Sequence, residues 1–271
     1  MLRVGHLMAV VTLMGAVLLA GPSGASAADG RKALVLVLHA YGMTGLWTAN
    51  YFRMGAIADR VVVLAPNGSR DVNGKRAWNA SLACCNPTGP DDVGTLSRLV
   101  EARIAQGDID PSRVYVWGYS NGAFMAWRLA CARADLFRAV VMLGGSVGAA
   151  ADPDCGPSQP FDMLHVHGTN DTTVKYRVNE LVEGMPEPYL GVVSGALQRQ
   201  AAALHCTEPA SVGEYRAFDH DALVPERETD RYVTRGCIGR LEHWQMMGSK
   251  HIPSLTDSWP LALLTWCDQR P

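Results

Sequence analysis

Residues 114–122 read VYVWGYSNG and decide the fold. An apolar run ends at Tyr119, and Gly118-Tyr119-Ser120-Asn121-Gly122 follows the pattern G-x-S-x-G. Residues 122–134 then have the apolar spacing of a helix. Strand, sharp turn and helix in this order are typical of a nucleophile elbow, which holds a serine on a strained turn at the carboxyl end of a sheet strand. The alternative is an ordinary turn in which Ser120 only caps the helix.

Further short apolar runs occur on both sides of this stretch. They are typical of strands buried on both faces, and they lie at 34–39, 61–66, 139–143 and 163–167. Residues 92–106 have helical spacing, with Asp91 or Asp92 placed as the N-cap. This alternation predicts an α/β fold: a mostly parallel, doubly wound sheet with helices on both faces. Beyond residue 190 we expect a helix at about 192–205, a polar loop, a strand at 241–247 and a helix at 256–268.

Composition excludes several classes of protein. The chain has 271 residues, of which 48% are hydrophobic and 18% charged, so it can bury enough apolar surface to fold. Its formal net charge of −2 gives no basic excess with which to bind nucleic acid. No internal run approaches the roughly 20 apolar residues that span a bilayer.

The first 27 residues resemble a secretory signal peptide. Arg3 precedes an apolar stretch at 7–20, and Ala25-Ser26-Ala27 has the small-x-small pattern of a cleavage site. An uncleaved membrane anchor is the alternative, but the apolar stretch is short for one. We therefore expect a secreted, extracellular protein with a single catalytic domain at 28–271 and no membrane attachment after cleavage.

Seven cysteines lie after the predicted cleavage site. In an exported protein they favour disulfides, and their spacing does not indicate a metal site. Because seven is odd, at least one thiol is free or pairs with another chain. The sequence does not determine which cysteines pair with each other.

A serine nucleophile needs a base, and the base needs an orienting carboxylate. In a sheet of this kind the chain order is serine, acid, histidine. Asp171 ends the segment HVHGTND (165–171) after a predicted strand, which places it at the same sheet edge as Ser120. Asp219 and Asp221 are rivals in a polar loop.

His251 is our prediction for the base because it follows the strand at 241–247. His243 lies inside that strand, and His205 and His220 have no strand-end position. The pair His165 and His167 lacks a third ligand for a metal, which favours a structural role for both.

The reaction also requires donors for an oxyanion. The backbone amide of Asn121, directly after the nucleophile, is one such donor. The second is expected in the loop at 39–45 after the first predicted strand. We predict the backbone amide of Tyr41, whose side chain could alternatively do no more than line the substrate pocket.

With these residues in place, the chain resembles the secreted esterases related to polyhydroxybutyrate depolymerases and feruloyl esterases, within the α/β-hydrolase superfamily. The resemblance runs over about 34–271. The segments that carry it are LVLVLHAYG (34–42), APNG (65–68), WNASLACC (78–85), DDVG (91–94), DPSRVYVWGYSNGAFMAWRLAC (110–131), HVHGTND (165–171) and GSKH (248–251).

The resemblance implies a catalytic triad of Ser120, Asp171 and His251. It also implies disulfides Cys131–Cys155 and Cys206–Cys237, and a substrate pocket lined by Tyr41, Trp78 and Tyr119. It leaves Cys84, Cys85 and Cys267 unassigned.

Three features depart from the family pattern. Ala40 stands where a glycine is usual, Ile252-Pro253 replaces Trp-Pro, and only residues 28–33 lie between the cleavage site and the first central strand. We therefore expect shortened N-terminal strands and a sheet edge that another part of the chain must cover.

The resulting hypothesis is a monomeric serine esterase without a cofactor. Its substrate would be a small or oligomeric carboxylic ester: short-chain, hydroxyalkanoate-type or feruloyl-type. One alternative is a non-catalytic binding protein with a hydrolase-like fold, and others are a peptidase or acyltransferase using the same triad. The sequence does not distinguish between these ester substrates.

Overall fold

The computed structural model describes residues 30–81, 84–148, 155–157, 159–177, 191 and 195–269. The predicted signal segment lies outside these residues. Among the described helices, none combines the length and apolar character needed to cross a bilayer.

An eight-stranded sheet forms the centre of the fold. Six neighbouring strands run parallel, and two antiparallel strands extend one edge. Across the sheet the strands are β2 (Val61–Leu64), β1 (Lys32–Leu38), β7 (Ile109–Tyr119), β8 (Ala139–Leu143), β9 (Asp162–Gly168), β12 (Leu241–Met246), β11 (Thr229–Thr234) and β10 (Ser211–Phe218). The predicted, mostly parallel sheet is confirmed.

Helices cover both faces of this sheet, as predicted. The helices are α1 (Gly45–Tyr51), α2 (Asp92–Ile104), α3 (Asn121–Ala132), α4 (Leu197–Ala203) and α5 (Trp259–Asp268), with a 3-10 turn at Met54–Ile57. Alternate residues of β1 divide between two core layers. Leu34, Leu36 and Leu38 pack with α2 and α3, whereas Val35 and Val37 pack with α1 and α5.

Several element boundaries differ from the predictions. Strand β7 begins at Ile109 rather than 114, because Ile109 pairs with Lys32 before a register shift. Helix α4 begins at Leu197, with 192–194 outside the described residues. Helix α5 begins at Trp259, three residues later than predicted, with Pro260 in its first turn. Helix α2 is capped by Asp91, whose carboxylate accepts from the amide of Gly94 at 2.9 Å.

Strands β10 and β11 were not predicted from the sequence. Six of the eight residues of β10 are exposed, so the strand lacks the alternation of a half-buried strand. It is held by its antiparallel pairing with β11 instead. At the opposite edge, β2 pairs with β1 alone among the described strands.

Two small antiparallel ladders precede α2. They pair β3 (Ser69–Arg70) with β4 (Arg76–Ala77), and β5 (Asn79–Ser81) with β6 (Cys84–Cys85). Strand β5 packs against α3, the helix that follows Ser120. The second ladder therefore lies beside the helix that begins at the Ser120 turn.

Candidate active site

Ser120 occupies a strained turn between β7 and α3. Its φ of 52° and ψ of −118° lie in a region that non-glycine residues rarely adopt. A Cβ at Gly118 would collide with the carbonyl of Gly122, and a Cβ at Gly122 would collide with the carbonyl of Leu38. Both neighbours must therefore be glycine, and the turn has the geometry of a nucleophile elbow.

The three side chains chosen from the sequence lie in hydrogen-bond contact. His251 Nε2 is 3.0 Å from Ser120 Oγ, and His251 Nδ1 is 2.7 Å from Asp171 Oδ2. Asp171 follows β9 and His251 follows β12, and these strands are parallel neighbours. Both loops therefore leave the same end of the sheet, next to the elbow. A proton on Ser120 Oγ could pass to His251 in this geometry.

The carboxylate of Asp171 is fully buried and richly hydrogen-bonded. Oδ1 accepts from the amides of Thr173 and Val174, at 2.8 and 2.9 Å. Burial by itself raises the pKa of Asp171, but hydrogen bonds from His167 and His251 outweigh burial and bring it to about 2. Asp171 is thus ionised at any ordinary pH and can stabilise an imidazolium at His251.

The rival residues lie elsewhere. His243 is buried in β12, and its Nδ1 donates to the carbonyl of His165. Asp221 accepts from the amides of Leu223 and Ser254, so it supports the loop that follows His251. His205 is exposed after α4. His220 is buried beside Trp244, away from the elbow.

The loop after β1 is fixed by a histidine that sequence reasoning missed. Buried His39 donates from Nδ1 to the carbonyl of Ala40 at 2.8 Å and accepts at Nε2 from the amide of Gly68 at 2.8 Å. The amide of Met43 donates to the same Ala40 carbonyl. This carbonyl belongs to the peptide whose amide is that of Tyr41, so the direction of the Tyr41 N–H is fixed as well.

Asn121 makes a second contact that the sequence did not indicate. Its side chain pairs with the backbone of Trp78, accepting from the amide at 2.8 Å and donating to the carbonyl at 3.2 Å. The side chain thereby links the elbow to the strand region at 78–81. The backbone amide of Asn121, the predicted oxyanion donor, directly follows Ser120.

Ser120 opens onto a cavity of about 500 Å³. Apolar and polar groups share its wall: Val72, Pro87, Phe124, Val174 and the adjacent cysteines 84 and 85, with Tyr41, Asp71, Asn73, Asn86, Thr88 and Thr173. Tyr41 donates from its hydroxyl to Asp71 Oδ2 at 2.6 Å, which lowers the pKa of Asp71. None of the described residues that line the cavity carries a positive charge.

Of the three residues predicted to line the pocket, the structure places Tyr41 alone on this wall. Trp78 is 2% exposed and lies behind it, where its indole N–H donates to the carbonyl of His39. Tyr119 is equally buried and donates from its hydroxyl to the carbonyl of His251. Neither side chain lines this cavity, because each is used to hold a neighbouring loop.

The structure contains the disulfides Cys131–Cys155 and Cys206–Cys237 implied by the family resemblance. It also joins the neighbouring residues Cys84 and Cys85, which line the cavity. Cys267 is free and buried. Within the described ranges, no group of three or more histidine, cysteine or acidic side chains is arranged to hold a metal ion.

A model of the esterase PHB depolymerase family matches residues 16–172, more than half of the chain. The chain therefore belongs to this family.

Curated relatives with similar sequences carry related names. Feruloyl esterase B of Piromyces equi is 28% identical over 180 residues, covering 63% of this chain and 32% of that protein. A probable feruloyl esterase C of Aspergillus terreus is 40% identical over 110 residues, covering 41% of this chain and 35% of that protein. The chain thus spans about a third of the length of these relatives.

Solved structures share the fold. An acetyl xylan esterase from Aspergillus awamori superposes with a TM-score of 0.60 at 15% identity, covering 88% of this chain and 90% of that one. Esterase PE8 superposes with a TM-score of 0.51 at 16% identity, covering 88% and 92% of the two chains. At these identities the likeness establishes the fold, and the expected α/β-hydrolase fold is confirmed.

Proposed function

We propose that this member of the esterase family is a secreted serine esterase that hydrolyses carboxylic esters through an acyl-enzyme on Ser120. The observation that carries the proposal is the continuous hydrogen-bonded series from Ser120 through His251 to Asp171. A plain helix cap would need no such partners, whereas a serine nucleophile needs both of them.

The reaction proceeds in two halves. Ser120 Oγ attacks the ester carbonyl while His251 Nε2 takes the hydroxyl proton, and the collapsing tetrahedral intermediate releases the alcohol with that proton. Water then attacks the acyl-serine, again giving its proton to His251, and the acid is released as Ser120 regains its hydrogen. Asp171 stabilises the imidazolium at each stage. The backbone amides of Tyr41 and Asn121 donate to the oxyanion.

Three kinds of ester are proposed as substrates: short-chain, hydroxyalkanoate-oligomer and feruloyl-type. The family description and the names of the curated relatives support this choice. The cavity volume falls within the range of small-molecule sites, and its mixed wall suits a neutral ester with apolar and hydroxyl groups.

We also propose that the enzyme is secreted and acts as a monomer. Residues 1–27 are a cleaved signal peptide, and residues 28–271 act as a monomeric extracellular domain without a membrane or nucleic-acid partner. Expression of the full chain in a secreting host should place the protein in the medium, with an N-terminus at residue 28. Retention of an intact N-terminus in the membrane fraction would contradict this.

Activity is tested most directly with a fluorophosphonate probe. The purified protein should be labelled at Ser120, and the Ser120→Ala variant should not be labelled. The rates at which the purified protein hydrolyses p-nitrophenyl, feruloyl and hydroxybutyrate esters should then show which acyl group it prefers. Failure of the wild-type protein to react with the probe or any ester would favour the non-catalytic binding protein. Turnover of an amide, or transfer to an added alcohol in preference to water, would favour a peptidase or an acyltransferase.

A further inference from the structure

A second histidine, buried in β9, lies against the carboxylate of Asp171. His167 belongs to β9, is fully buried, and brings its Nε2 to within 3.1 Å of Asp171 Oδ2. The same nitrogen lies 2.7 Å from the carbonyl oxygen of Val174. The mechanism described above does not use this side chain.

The partners of His167 determine where its proton lies. The carbonyl of Val174 can only accept, so His167 Nε2 carries the hydrogen and shares it with Asp171 Oδ2. Asp171 Oδ2 therefore accepts from two imidazoles, His167 and His251. The Nδ1 atom of a neutral His167 is then an acceptor, and it faces His165 Nε2 at 3.4 Å.

His165 continues the same arrangement. Its Nε2 lies 3.1 Å from the carbonyl of Gly145, which requires a hydrogen on Nε2, and its Nδ1 can accept from the amide of Gln200 at 3.0 Å. Burial, followed by the neighbouring His167 and His243, keeps the pKa of His165 well below its ordinary value. The hydrogen-bonded series thus runs from Gln200 through His165 and His167 to Asp171, with a donor and an acceptor assigned at each contact.

Val174 closes a small ring around the carboxylate. Its amide donates to Asp171 Oδ1, and its carbonyl accepts from His167. Without the imidazole of His167, the loop at 171–174 would keep its contact with Oδ1 but lose the one that fixes Oδ2. Oδ2 is the atom that meets His251, so its direction matters for the proposed reaction.

We propose that His167 is a positioning residue for this active site: its Nε2–H fixes Asp171 Oδ2 in the direction that holds His251 toward Ser120. The inference rests on the proposed function, since it assigns a task within the same triad. His167 touches neither substrate nor the reacting atoms, and it acts through Asp171 alone.

Several titratable groups surround His167 and would contribute to the pH profile of a variant at this position. They are His165 on its own strand, Asp171 and Tyr176 in the loop that follows, and His243 on β12 beyond His165. His251 contacts the same oxygen, Asp171 Oδ2, through its Nδ1. Loss of the His167 donor would leave Asp171 Oδ2 to interact with His251 alone.

The test compares His167→Leu with His167→Gln, whose amide can place a donor near the position of Nε2. With a soluble p-nitrophenyl ester, we expect kcat of His167→Leu to fall about 10-fold or more with KM changed less than about 3-fold. The apparent pKa on the acid side of its kcat/KM profile should rise. Asp171 Oδ2 would no longer be shared with His167, so it would stabilise a protonated His251 more strongly. His167→Gln should recover most of kcat.

His243→Leu is the matched control, because His243 is similarly buried and contacts the carbonyl of His165 but does not touch Asp171. It should keep the wild-type pH profile at equal folded fraction, measured by near-ultraviolet circular dichroism. If His167→Leu does not fold, His167→Asn replaces it in the test. The asparagine side chain is polar but lacks a donor at the position of Nε2. Equal kcat and pH profiles for the position-167 variants and the control would overturn the inference.

Failure of the proposed function is a separate result. If neither the wild-type protein nor Ser120→Ala reacts with the fluorophosphonate probe, the esterase proposal fails and the inference with it. If the wild-type protein reacts, Ser120→Ala does not, and His167→Leu retains full turnover, the inference alone is overturned.

Discussion

The imidazole of His39 donates a hydrogen bond to the backbone carbonyl of Ala40, the next residue along the chain, across 2.8 Å. Ala40 stands where the family usually has glycine, and this bond fixes the peptide that ends in the amide of Tyr41. The amide of Gly68 donates to the other ring nitrogen, and burial lowers the pKa of His39, so the ring is held neutral.

His39→Leu should therefore impair the stabilisation of an oxyanion. We expect kcat on a p-nitrophenyl ester to fall about 10- to 100-fold with little change in KM, because the Tyr41 amide loses its fixed direction. His39→Asn is the control, since its side-chain amide can replace the Nδ1 donor. Similar turnover of both variants and the wild-type protein would show that Ala40 needs no such support.

The elbow should not accept a methyl group at Gly118. Gly118→Ala would push a Cβ into the backbone of Gly122 and Ala123, and we expect a loss of about 2–3 kcal/mol in unfolding free energy together with the loss of turnover. Gly55→Ala is the matched control because its Cβ would meet open space. Denaturant unfolding of the two variants decides the point, and equal stability would contradict the collision.

Removal of the charge at Asp171 should reduce turnover far more than removal of a rival charge. Asp171→Asn should lower kcat about 10³-fold or more, because the amide cannot stabilise an imidazolium at His251. Asp219→Asn, in the loop that the sequence offered as an alternative, should leave kcat within about 2-fold. The reverse order would remove Asp171 from the proposed triad.

A buried histidine should make the protein less stable in acid. His220 stacks against Phe218 and Trp244, and neither ring nitrogen has a hydrogen-bond partner among the described residues. Burial lowers its pKa to about 4, below the 6.5 of an unfolded chain. The contribution of neutral His220 to the free energy of unfolding is therefore complete above pH 6.5. It is lost as the pH falls through 4, and the loss amounts to about 3 kcal/mol.

His220→Phe should reduce the decline of unfolding free energy between pH 6.5 and 4, measured by urea titration at several pH values. His243, whose pKa burial also lowers to about 4, should keep part of the decline. His205→Asn, at an exposed position, should leave the slope unchanged. A wild-type slope in His220→Phe would show that His220 is not the group responsible.

The acidic wall of the cavity should select against anionic esters. Asp71 is the charged group on that wall among the described residues, and it is held there by Tyr41. Asp71→Asn should raise kcat/KM for an ester with a free carboxylate about 2- to 5-fold relative to a neutral ester, with the difference shrinking at high salt. An unchanged ratio would mean that the acyl group does not approach Asp71.

Local sequence patterns determined the central features of this protein. The apolar runs predicted strands, and the spacing of Gly118, Ser120 and Gly122 predicted a turn that only glycine neighbours permit. The placement of Asp171 and His251 after strands was enough to select two side chains that contact each other, and His251 also contacts Ser120. Their roles in catalysis stay predictions until the variants are measured.

Only the tertiary structure decided what surrounds those residues. Strand β11 is held by pairing with β12 and β10 by pairing with β11, and the mostly exposed residues of β10 carry no periodic signal. Trp78 and Tyr119 hold loops that other segments place beside them, and Cys84 and Cys85 reach the cavity through a ladder with β5. The contact of His167 with Asp171 likewise depends on the path of the loop after β9. A sequence encodes each element through neighbours along the chain, whereas these contacts depend on where distant elements meet in space.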